Sequence, residues 1–128
     1  MKINVPISIG ELVDKITILK IKNAKIQDQE KLSRAKKEMD YLEKALYKQV
    51  KKDDKFLDLY HRLIEVNSEL WDIEDAIRAK ESKKVFDHTF IKLARSVYKT
   101  NDARFRLKSE INDLYNSEIV EVKEHQEY

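Results

Sequence analysis

The chain has no cysteine, and glycine and proline occur once each in 128 residues. Without cysteine there is neither a disulfide framework nor a thiolate metal site. With Gly10 alone, no glycine-rich phosphate loop can be built. Three histidines, His61, His88 and His125, stand far apart with no His-x-x-x-His pair, so neither His-based metal binding nor His-based catalysis has a basis. No run approaches the roughly 18 consecutive apolar residues of a membrane span. The opening MKINVPISIG lacks the apolar core and cleavage site of a signal peptide. A cytoplasmic protein without a membrane segment is the expectation.

The scarcity of glycine and proline also has a positive meaning. Both interrupt helices, so a chain nearly free of them favours long uninterrupted ones. Charged residues make up 39%, with 26 Lys and Arg against 24 Asp and Glu. Balanced charge of this density suits solvated helix faces laced with i,i+4 pairs. The apolar fraction, 41%, is low for a compact globule. It fits a thin bundle or coiled-coil-like hairpin whose remaining burial is supplied by a second copy.

Periodicity places the elements. Ser8-Ile9-Gly10-Glu11 has the form of a capping box, with Ile7 and Leu12 at staple positions, and predicts a helix from Ser8. Its stripe is Leu12, Ile16, Leu19, Asn23 and Ile26, widened by Val13, Ile18 and Ile21. The register slips near Gln27–Glu30, and Asp28 can cap a new helix with the stripe Leu32, Ala35, Met39, Leu42 and Leu46. A bent continuous helix with a stutter is the alternative. Lys51-Lys52-Asp53-Asp54 closes that segment, and a central helix is expected from about Asp54 to Lys80. Asp87 is a candidate cap for a last helix reaching about Asn116. Alternation of Ile3, Val5 and Ile7, and again around Ile119, Val120 and Val122, predicts short extended ends that pair with each other. The fold class is therefore all-α: one domain, an antiparallel bundle of three or four helices with short extended termini.

The central stripe is not uniformly apolar. Phe56, Tyr60, Leu63, Asn67, Leu70, Glu74 and Ile77 recur at steps of four and three, so an amide and a carboxylate sit among core positions. A buried carboxylate without a partner costs several kcal/mol. Asn23, Asn67, Glu74, Arg78, Asn101 and Lys108 thus form either a satisfied internal network or a pocket between helices. In the pocket reading, Arg78, Arg104 and Lys108 hold a small anion and Glu74 serves as acid or base. Glu74 and Arg78, four apart, can also form a local bridge.

Other patterns carry less. Trp71, with Tyr60, Tyr98 and Phe105 at helical spacing, suits core or interface anchors. Glu11-x-x-Asp14 and Glu110-x-x-Asp113 each place two acids on one face, as Mg²⁺-dependent all-helical nucleotide pyrophosphohydrolases do, but such pairs are common at this charge density. The run Lys31–Lys52 holds eight basic residues against three acidic, whereas from Glu110 onward six acids face one lysine. These opposed patches suit contact between chains. With net charge only +2 and no recognition motif, nucleic acid is not an expected partner. No catalytic residue, metal ligand or cofactor is assigned.

Three stretches, VPISIGELVDKITIL (5–19), LWDIEDAIR (70–78) and LARSVYKTND (93–102), together resemble a family of small bacterial and phage-borne helical proteins without assigned function. The resemblance implies no activity and transfers no catalytic residue. A fainter likeness to helical chorismate mutases requires an arginine in the first helix, where the first Arg here is Arg34. The resulting expectation is a non-enzymatic interaction or assembly module forming a homodimer, with a small-anion-binding or enzymatic bundle as the alternative.

Overall fold

A computed structural model describes residues 1–128. It holds four helices, α1 (Ile9–Lys25), α2 (Gln29–Tyr47), α3 (Asp54–Ser82) and α4 (His88–Leu114), and no strand. Every helix opens on a side-chain cap. Ser8, Asp28, Asp53 and Asp87 each accept a hydrogen bond from the amide three residues on. The slip near Gln27 is thus a true break. The second helix ends at Tyr47, short of the Lys51 boundary expected, and α3 continues two residues past Lys80.

Two ends close in the same way. Lys84 and Asn116 have φ of 55° and 54°, the left-handed conformation. After α3, Val85 N–H donates to Lys80 O and Lys84 N–H to Glu81 O. After α4, Ser117 N–H donates to Asn112 O and Asn116 N–H to Asp113 O. Both are Schellman turns, which satisfy carbonyls that would otherwise lack donors.

α3 and α4 are antiparallel: Lys80 meets Asp87 at 2.9 Å at the turn, and Arg62 meets Glu110 at 3.7 Å toward the other end. α1 lies against both, parallel to α3 and antiparallel to α4. α2 folds back on α1. The core is built where all four meet, from Val13, Ile16, Leu46, Val50, Phe56, Leu59, Tyr60, Leu63, Leu107 and Ile111.

Gly10 sets the spacing of α1 and α4. A Cβ there would stand 2.4 Å from the Lys108 carbonyl oxygen and 2.9 Å from Asn112 Oδ1. The absence of a side chain lets Gly10 N–H donate to Asn112 Oδ1 at 2.7 Å. Ile9 N–H donates to Ser117 Oγ at 3.2 Å and Glu11 N–H to Ser8 Oγ at 3.1 Å. The leading amides of α1 are therefore occupied by side chains from both ends of the chain.

Three expectations need correcting. The capping box is only half formed, because the Glu11 carboxylate turns away from Ser8 to Lys108, 2.7 Å away. The alternating ends do not pair as strands. Lys2 instead reaches Tyr41 of α2, and the C-terminal segment binds α4 through Lys123–Asp102 at 2.8 Å and Glu121–Lys108 at 2.5 Å. Period-two alternation makes a strand only when a partner edge exists, and helices with satisfied backbones offer none. Finally, the central stripe is buried only from Phe56 to Asn67; Leu70, Glu74 and Ile77 are half-buried. α1 is 17 residues long against 29 and 27 for α3 and α4. At ~1.5 Å per residue it covers little more than half of either. The remainder of the α3–α4 hairpin projects beyond it, and no residue between Asn67 and Leu107 is buried.

Candidate functional site

Where the covered and bare halves of the α3–α4 hairpin meet, the chain buries a carboxylate. The side chain of Asp14 is 1% exposed. Arg104 of α4 grips it side-on, Nε donating to Oδ1 at 2.9 Å and Nη2 to Oδ2. Asn67 of α3 donates Nδ2 to Asp14 Oδ1 at 2.9 Å and to Thr17 Oγ1 at 3.0 Å. Thr17 Oγ1 in turn donates to the Asp14 carbonyl at 2.7 Å. One ionic layer thus ties three helices, and both carboxylate oxygens of the buried Asp14 are met, as burial requires. The hydrogen bond to Asp14 raises the Arg104 pKa further above its already high value, against the opposing effect of burial.

One turn along, Lys108 is buried among Glu11, Glu121 and Asp14, at 2.7, 2.5 and 4.0 Å. Burial draws its pKa down, but the bonds to Glu11 and Glu121 outweigh that and leave it raised. The helical spacing explains both pairs. Glu11 and Asp14 are i,i+3 on α1, and Arg104 and Lys108 are i,i+4 on α4, so antiparallel packing sets two acids against two bases.

Next to this layer lies an open cleft of about 470 Å³ between α1, α3 and α4. Ile18, Ile21, Leu70 and Trp71 give it an apolar wall, and Asn67, Glu74, Asp75, Arg78, Asn101 and Arg104 a polar one. Of the seven residues weighed from the sequence for the seam and its pocket, five, Asn67, Glu74, Arg78, Asn101 and Arg104, converge here. Lys108 lines a neighbouring cleft of about 480 Å³ together with Asn101, Arg104 and the C-terminal segment Glu121–His125. Glu74 and Arg78 pair with each other at 3.2 Å on the rim, where Arg78 is largely exposed. Asn23 sits elsewhere, half-buried against Met39 of α2.

The aromatic candidates separate. Tyr60 stacks on Phe56 at 5.5 Å inside the core, so its ring is not a surface anchor. Trp71 is half-buried in the cleft wall. Tyr98 is exposed with its ring edge on Tyr128, and Phe105 lies half-buried with Lys123 5.5 Å from its ring centre. Asp14, weighed only as half of an acidic pair, is the residue at the centre. Its neighbours in spacing, Thr17 and Ile21, share its inward side, a signal readable as i, i+3, i+7. Asn112, Ser117 and Glu121 carried no such signal.

A family model described as a family of unknown function, DUF6165, matches residues 1–127. The chain belongs to DUF6165. No curated protein and no solved structure matches it. Within this DUF6165 chain, no helix is long and apolar enough to cross a membrane.

Proposed function

We propose that this DUF6165 protein is a cytoplasmic, non-enzymatic assembly module that forms a homodimer through the projecting half of its α3–α4 hairpin. The observation that carries the reading is unfinished burial. The chain exposes 9403 Å² at 15.3 kDa, where a compact monomer of that mass exposes about 7,100 Å². The extended ends, α2, which packs along α1 alone, and the bare hairpin all contribute to the surplus. Its apolar residues include Val85, Phe86, Ile91 and Tyr98, all more than a third exposed. The surplus, about 2,300 Å² per chain, is well above the roughly 800 Å² that a standard dimer interface removes from each partner.

A second copy is the occupant best matched to such a surface. An isologous pair lays each bare hairpin on the other and closes with no face left over. The basic α2 region and the acidic C-terminal region of one chain complement those of another. Sedimentation equilibrium at about 1 and about 100 µM tests this, because association-linked mass and stability both rise with concentration. Ile91→Lys with Phe86→Lys is expected to give a folded monomer of unchanged helix content. A wild-type chain that is monomeric throughout that range overturns the reading.

A further inference from the structure

We infer that the cleft between α1, α3 and α4 is a binding site for a small monocarboxylate with an apolar body, its carboxylate on Arg104 and its body against Trp71. The argument begins with the edge of Arg104 that is already used. A guanidinium has five N–H donors. Asp14 takes the side edge, through Nε and Nη2. Nη1 has no acceptor within the chain, which leaves the end edge, two parallel N–H groups, free in a residue that lines the cleft. That fork matches a carboxylate in two-point geometry. The buried Asp14 fixes the guanidinium beforehand, so little rotamer freedom is lost when a ligand arrives. Asn101, three residues before Arg104 on the same helix, lines the same cleft, and its side chain makes no hydrogen bond within the chain.

The opposite wall selects the rest of the ligand. Ile18, Ile21, Leu70 and Trp71 offer apolar surface, and about 470 Å³ lies within the usual range of small-ligand sites. Charge selects the valence. Arg78 is matched by Glu74 and Arg104 by Asp14, while Asp75 on the wall has no cation partner. No cation is spare, so the unpaired Asp75 opposes a dianion such as a phosphate about twice as strongly as a single carboxylate. A single carboxylate meets the free edge of Arg104 alone.

Trp71 is the only tryptophan in the chain, so its emission reports the cleft directly. Titration with 3-cyclohexylpropionate, which does not absorb with indole, is expected to change that emission saturably, with a Kd on the order of 0.1–1 mM. Acetate, inorganic phosphate and 3-cyclohexylpropylamine are expected to have no saturable effect. Arg104→Lys keeps the charge but loses the fork and should weaken binding at least about tenfold. Asn101→Ala leaves the Asp14–Arg104 pair intact and should weaken it several-fold, which decides the matter if circular dichroism shows the Lys variant unfolded. The inference is overturned by no saturable response up to ~10 mM, by a response to phosphate or the amine instead, or by unchanged affinity in folded Asn101→Ala protein.

Discussion

Asp14 and Arg104 should be worth far more as a pair than either is alone. Replacing Asp14 by Leu removes the acceptor for two guanidinium bonds and for Asn67. It leaves a cation whose side chain is only 28% exposed. Breaking a buried pair from one side costs about 3–5 kcal/mol, and the partial exposure of Arg104 puts the expected loss near 3 kcal/mol. For a domain of this size that lowers Tm by roughly 10–15 °C. Arg104→Met strands a carboxylate that is almost wholly enclosed, and should cost at least as much. The double variant, Asp14→Leu with Arg104→Met, removes both charges and should lie within about 1–2 kcal/mol of the parent, since apolar replacement of a buried pair is close to neutral. Urea unfolding followed by far-ultraviolet circular dichroism measures all four corners of the cycle. Losses that simply add, or single variants each costing under about 1 kcal/mol, would refute the claim that this layer is an electrostatic unit.

Gly10→Ala should destabilise by about 2–3 kcal/mol although alanine is the better helix former, because the added Cβ meets the Lys108 carbonyl at 2.4 Å and disrupts the Gly10–Asn112 bond; a neutral melting temperature would mean that α1 and α4 separate at little cost. Lys84→Gly should stabilise by about 0.5–1 kcal/mol, since φ is 55° there and a Cβ is disfavoured in that region; chemical denaturation reads the gain, and a loss would contradict it. Tyr47 supplies a pH signature. Burial keeps its phenol neutral and pushes its pKa up to about 12 from 10.0. The folded state holds that proton more tightly, so the contribution is complete below pH 10 and disappears as pH rises toward 12. The raised Lys108 acts in the same direction, its contribution being lost above the unfolded lysine value of 10.5. Tyr47→Phe should therefore flatten the fall in stability between pH 10 and 12; an unchanged slope would assign that fall elsewhere.

Helix count, breaks and caps were legible because they are local. Ser8, Asp28 and Asp87 are each judged against the few residues that follow them. The seam was legible as a set, since Asn67, Glu74, Arg78, Asn101 and Arg104 do gather at one cleft. Periodicity assigns a face to a residue but no neighbour to that face. It could not say that Glu11 would leave Ser8 for Lys108, 97 residues away, or that Asp14 would meet Arg104 across 90. Nor could it say that α1 would stop short of α3 and leave Leu70 and Ile77 half covered. Tyr60 stayed open between core and interface for the same reason: a ring at helical spacing looks the same whether the core or a partner covers it.

The capping of α1 bears on how the protein is made. Asn112 and Ser117, which receive its first amides, lie more than 100 positions downstream. A ribosome therefore releases the opening helix long before its anchors have been synthesised. Until α4 emerges, Asp14 has no guanidinium and Gly10 no acceptor, so the early segments wait without their final contacts. Fusing this chain behind another protein leaves that delay unchanged, whereas a message truncated ahead of Arg104 yields a product in which α1 cannot be secured.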